Sequence, residues 1–122
     1  MFINFTNHPS SGWGSDQIRE SNRYGDIIDI PFPNVPPALG GHDIQKLADE
    51  YVEKIISRLT GNDAVLVQGE FTLCHAVVRR LLDRHIRAVS ACTERITEER
   101  VRSDGEFEKI SLFRFVQYRE YA

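Results

Sequence analysis

Residues 7–14 read Asn-His-Pro-Ser-Ser-Gly-Trp-Gly, more functional side chains than a plain connection needs. His8 carries an imidazole that can move a proton near neutral pH or meet a phosphate as a cation. Ser10 and Ser11 can donate hydrogen bonds to phosphoryl oxygens, with Asn7 beside them. Gly12 and Gly14 allow a ligand close to the backbone. Trp13 is the only tryptophan, and it can stack on a base, a contact of about 1–3 kcal/mol in single-strand binding. The plainer reading has His8 bonding its own loop and Trp13 capping a sheet. Neither GxGxxG nor GxxxxGK[ST] occurs, so a dinucleotide fingerprint or P-loop is not supported.

A second cluster, Gln68-Gly69-Glu70-Phe71-Thr72, combines an amide, a flexible joint, a carboxylate and a hydroxyl where a helix begins. Thr72 fits an N-cap, and the positive helix end favours Glu70. Functionally, Glu70 suits a ribose hydroxyl better than a phosphate, which it would repel. A third cluster is Ser90-Ala91-Cys92-Thr93-Glu94-Arg95. From it Thr93 and the forked donors of Arg95 can reach an anion. Arg95 can equally be a solvated charge or pair with Glu94 or Glu98. His42, His75 and His85 share no metal-ligand spacing with Cys74 or Cys92, so neither metal nor other cofactor is expected. Asp26 and Asp29 flank a short strand and read as edge solvation.

The elements that carry these clusters follow from apolar spacing. Met1–Thr6 reads as a strand, and Ser15–Tyr24 as a weak helix capped by Ser15 or Asp16. Asp26–Ile30 is a second strand, closed by prolines. Between Asp43 and Leu59 the apolar residues form one wide helical stripe, stopped by Gly61-Asn62. Ala64–Val67 is a short buried strand, Leu73–Arg84 a helix and Arg87–Ala91 a fourth strand. Ser103-Asp104-Gly105 signals a tight turn between hairpin arms near Glu94–Val101 and Lys109–Tyr118. The order is β-α-β-α-β-α-β-β: an α/β, Rossmann-like, open and mostly parallel sheet with helices on both faces and a C-terminal β-hairpin. In such sheets strands one and three usually lie side by side, and ligands bind beyond the strands' carboxyl ends. The loops at His8–Gly14 and Gln68–Thr72 are then expected to open into one crevice.

The whole chain, 122 residues, reads as a single domain with one core. A net charge of −3 and 27% charged residues exclude a broad basic face for long nucleic acid but leave room for a small anion in a pocket. No apolar run approaches the roughly 20 residues of a membrane span. The start lacks a secretory leader pattern, and two isolated cysteines suit free thiols in a reducing cytoplasm.

The strand ending in Asn7-His8-Pro9, within NFTNHP, resembles the small standalone CRISPR-associated proteins of the CARF-related ring nuclease group. VQGEFT and ACTER support the resemblance more weakly. It implies a CARF-like homodimer that binds cyclic oligoadenylate, most often the four-membered ring, and cuts it without metal. The ribose 2′-hydroxyl attacks the adjacent phosphorus, leaving linear products with 2′,3′-cyclic phosphate ends and switching off type III CRISPR antiviral signalling. Under the resemblance His8, Ser11 and Arg95 are the expected catalytic residues. Asn7, Ser10, Trp13, Gly69, Glu70, Thr72 and Thr93 would line the ligand. A non-catalytic sensor or sponge of the same fold is the alternative.

Overall fold

The runs Phe2-Ile3-Asn4-Phe5 and Ala64-Val65-Leu66-Val67 are buried at every position, the pattern of strands covered on both faces. A computed structural model, describing residues 1–122, shows how. Its elements are β1 (Phe2–Phe5), a 3-10 turn (Ser10–Gly12), α1 (Ser15–Asn22), β2 (Ile27–Asp29), α2 (Gly41–Ile56), β3 (Ala64–Val67), α3 (Phe71–Asp83), β4 (Ala88–Val101) and β5 (Phe107–Glu120). They form one five-stranded sheet in the order β2-β1-β3-β4-β5. The first four strands in that order are parallel, and β5 returns antiparallel along β4. This is an open, mostly parallel α/β sheet that fits the Rossmann-like class, with β1 beside β3 as expected.

Alternation splits the core into two layers. Ile3, Phe5, Val65, Val67 and Ala88 pack with α2 and α3. Phe2, Ala64, Leu66 and Val89 form the other layer, against which Trp13, Tyr24 and Tyr118 rest. In α2 the stripe Ile44, Ala48, Val52 and Ile55 is buried, as a helix with one sheet-facing side requires. The helix starts two residues before Asp43, whose carboxylate accepts the Gly40 N–H at 3.1 Å. It ends at Ile56, short of Leu59, in a turn that bonds Leu59 N–H to Ile56 O. No helix is long and apolar enough to cross a membrane.

The largest departure from expectation lies at the C-terminal hairpin. The fourth strand does not stop at Ala91 but continues through Cys92 to Val101 as one 14-residue strand, paired with an equally long β5. A register shift sets Cys92 opposite Gln117 and Thr93 opposite Phe115, so Val116 is the extra residue of a bulge. Bulges bend and twist a strand. Here the bulge falls where the ribbon leaves the sheet, because β3 pairs with β4 only at Ala88 and Val89.

Candidate functional site

The first loop is built from the strand beneath it. Asn4 is 1% exposed and Thr6 is 6% exposed, so both polar side chains must find partners. Asn4 Nδ2 donates to His8 O at 2.8 Å and to Asp29 Oδ1 at 3.0 Å. Thr6 Oγ1 donates to Asn4 Oδ1 at 2.8 Å and accepts from His8 N at 3.0 Å. Asp29 then receives the Ser10 N–H at 3.2 Å and the Ser10 hydroxyl at 3.1 Å. The main chain of His8–Ser10 is thus clamped from below, while the His8 ring stays exposed with no hydrogen bond inside the chain. Asp29 is not edge solvation; it anchors the loop.

Beyond this loop a cleft of about 970 Å³ opens over the carboxyl ends of β1 and β3 and along the middle of β4, large enough for a small-molecule ligand. His8, Gly12 and Trp13 border it on the loop side. Gln68 follows the end of β3, and Thr93 lies within β4 beside the bulge. Phe113, Arg114 and Phe115 close it from the hairpin. Trp13 is half-buried, its ring edge-on to Phe2 at 6.2 Å and 78°. It caps the sheet and faces the cleft at once. The entry of α1 joins the lining through Gly14, Ser15, Asp16 and Gln17. Gly14 is the N-cap, replacing the expected Ser15 or Asp16, and supplies no side chain to the first amides. Those amides lie at the positive end of the helix dipole.

The same helix is tied to the hairpin base. Gln17 Nε2 donates to Tyr118 Oη at 3.2 Å, and Ser21 Oγ shares a hydrogen with Tyr118 Oη at 2.8 Å. Burial pushes the Tyr118 phenol upward, against the lowering effect of these two bonds. Gln68 accepts the Ala91 N–H through Oε1 at 2.9 Å. Its side chain therefore continues the β3–β4 seam where the backbone of β3 has already turned away.

The second loop behaves otherwise. Glu70, not Thr72, caps α3: its carboxylate accepts from Thr72 N at 3.0 Å and Leu73 N at 2.8 Å. Thr72 Oγ1 donates back to Glu70 at 2.6 Å. The Thr72 hydroxyl and these two amides hold the Glu70 carboxyl below the usual range. A Cβ on Gly69 would meet the Phe32 ring at 2.5 Å, so Gly69 is small because that ring passes over it. None of Gly69, Glu70 and Thr72 lines the cleft, and of this loop only Gln68 does. Burial and then the nearby Glu70 charge push the Cys74 thiol up to about 11, which leaves little thiolate at neutral pH.

Of the expected contacts, then, His8, Trp13 and Thr93 come together at the cleft. Ser10 is committed to Asp29. Asn7 and Ser11 are exposed and lie outside the lining. Arg95 donates to Ser111 Oγ at 2.9 Å along the hairpin and does not line the cleft. The cation that does line it is Arg114, ion-paired with Glu94 across the two arms. Sequence reasoning passed over Arg114 because only the hairpin register puts it there, and over Asp29 because only the fold brings it to Ser10. The one advance signal was a polar Asn4 inside an otherwise apolar strand.

The family described as "Uncharacterized protein MJ1673 family" matches residues 1–119. Uncharacterized protein MJ1673 of Methanocaldococcus jannaschii is 26% identical over 128 residues, covering 99% of this chain and 95% of that protein. No solved structure matches.

Proposed function

We propose that this chain, which belongs to the MJ1673 family, binds a cyclic oligoadenylate in the cleft over β1, β3 and β4 and opens the ring without a metal ion. The observation that carries the reading is the meeting of three features at one cleft: a free imidazole on a clamped loop, a half-buried tryptophan and a helix entry with no side-chain cap. A nucleotide presents matching chemistry, with a base to stack and a phosphate to meet amides. The choice of a cyclic oligoadenylate among nucleotides comes from the resemblance of NFTNHP to the CARF-related ring nucleases.

In this reading the ribose 2′-oxygen attacks the neighbouring phosphorus, the bond from phosphorus to the 5′-oxygen breaks, and the 2′-hydroxyl proton leaves as the 5′-oxygen gains one. A linear product with a 2′,3′-cyclic phosphate and a 5′-hydroxyl remains. His8 moves the proton, and its fixed main chain keeps the ring over the cleft. Arg114 takes the charge-stabilising role first given to Arg95, because Arg114 lines the cleft. The protein acts in the cytoplasm, where such messengers arise, and relieves antiviral signalling.

Purified protein incubated with cyclic tri-, tetra- and hexa-adenylate, with and without EDTA, tests this directly by product chromatography. Linear adenylates with cyclic phosphate ends, formed in EDTA, are the expected result. Rings that neither bind nor break would overturn it. A sponge that binds without cutting is the second reading, favoured by the commitment of Ser10 to Asp29 and of Thr72 to Glu70. Intact rings that co-elute with the protein would select it.

A further inference from the structure

The seam between β3 and β4 comes apart toward the cleft, and two side chains fill it. Backbone pairing joins the strands at Val65 with Ala88 and at Leu66 with Val89. An evenly spaced parallel ladder would next bring the Ala91 N–H to Val67 O. Instead Val67 O accepts the Tyr121 hydroxyl at 2.8 Å, and the Ala91 N–H donates to Gln68 Oε1 at 2.9 Å. An N–H can only donate, so the amide oxygen of Gln68 has to face Ala91 and the amide nitrogen has to face away. The main chain of Gln68 is fixed as well, its N–H donating to Phe5 O at 3.3 Å. Nε2 makes no hydrogen bond inside the chain, and no buried side-chain nitrogen or oxygen lacks one. Half-buried Gln68 therefore keeps its Nε2 donors open to the cleft it lines. From this geometry we infer that Gln68 binds phosphate: Nε2 donates to a non-bridging phosphoryl oxygen of the ligand, and the bond from Ala91 to Oε1 keeps it aimed.

The inference rests on the cleft being the nucleotide site and is independent of ring opening. A glutamine that reads adenine uses both halves of its amide, accepting from the N6 amine while donating to N7. Gln68 has its oxygen occupied by Ala91, so it offers the donor half alone. That half suits a group which only accepts, and the charged phosphoryl oxygen is the strongest such acceptor a nucleotide carries. The rest of the lining agrees. Its two carboxylates, Asp16 and Glu98, are held by Arg19 and Arg100. The Thr93 hydroxyl and the His8 ring, both on the cleft, make no hydrogen bond inside the chain and remain free to donate. Gln68 is thus a strut for the parted strands and a donor to the ligand, and substitution can separate the two roles.

Gln68→Glu keeps an oxygen for the Ala91 N–H and removes the donors. Gln68→Met, close in size and uncharged, removes both. Titration calorimetry with cyclic tetra-(2′-deoxyadenylate), which lacks the attacking 2′-hydroxyl and stays intact, should show both variants binding about ten- to a hundredfold more weakly than the parent. Urea denaturation should place Gln68→Glu at the midpoint of the parent and Gln68→Met below it, because only methionine leaves the Ala91 N–H without an acceptor. Parental affinity in Gln68→Met would overturn the inference whatever Gln68→Glu does, since any weakening would then come from added charge alone. A Gln68→Glu variant as unstable as Gln68→Met would overturn it too, because the amide oxygen would not be the strut. If the parent ignores the ring, the proposed activity falls, and inorganic pyrophosphate then decides the role of the amide. Pyrophosphate binding that weakens in Gln68→Met keeps the inference; binding that does not weaken, or no binding by the parent, ends it.

Discussion

Three side chains decide whether the first loop holds its shape. Asp29 gathers Asn4, the Ser10 amide and the Ser10 hydroxyl, so Asp29→Ala leaves a buried amide short of one acceptor and the loop short of two. A loss of about 1–3 kcal/mol in urea denaturation is expected, with weaker ligand binding even at temperatures where the variant is folded. His8→Ala removes no bond that shapes the loop, because the network uses only its main chain. That variant should slow ring opening at least tenfold while titration calorimetry finds binding changed far less; equal rates would remove His8 from the mechanism. Glu70 gives a pH signature. Its carboxyl lies below the usual range in the folded chain, so its contribution is complete above the unfolded pKa of about 4.3 and fades as pH falls through the folded value. Glu70→Gln should therefore flatten the acid limb of the stability curve below about pH 5. Gly69→Ala tests the packing next door. Phe32 is buried beside Phe5 and cannot swing aside cheaply, so overpacking of about 1–3 kcal/mol is expected from the same denaturation measurement.

At the level of elements the hairpin is the part least tied to the core. No residue between 93 and 115 belongs to either buried cluster or to the side chains packed against them. Replacing the arms beyond Cys92 with a two-residue turn, while keeping Tyr118 on Phe2 and its bonds to Gln17 and Ser21, should leave a folded α/β chain by circular dichroism. It should abolish ligand binding, because Phe113, Arg114 and Phe115 close the cleft. Retained affinity would place the ligand elsewhere. The elements themselves were largely legible, since burial on one face leaves a period in the sequence. The stripe of α2 and the runs of β1 and β3 carry that imprint. The unbroken course of β4 does not: Cys92 to Arg95 alternates weakly, and its extension is set by pairing with β5 rather than by burial. Helix entries were misread at α1 and α3 for one reason, that several neighbouring residues can cap and only the loop's path selects Gly14 and Glu70.

For the molecule as a whole, both core layers grip the same central strands, β1 and β3, so neither layer can come apart alone. Urea unfolding followed by Trp13 fluorescence and by far-ultraviolet circular dichroism should give coincident single transitions; separated midpoints would show that the layer under Trp13 yields first. That a cleft opens beyond the ends of β1 and β3 was readable from the order of elements. Which side chains shape and line it was not, because Asp29 reaches Ser10 through β1–β2 pairing and Arg114 reaches the cleft through a hairpin register, and both are long-range facts. The split between a sheet that holds the fold and a ribbon that closes the cleft also shapes how such a chain can evolve. Substitutions at Asn4, Thr6 or Asp29 each cost stability and unsettle the loop that borders the cleft. The ribbon can drift, lengthen or change its aromatic residues with the core untouched, so new ligand preferences can arise there without first passing through an unfolded ancestor.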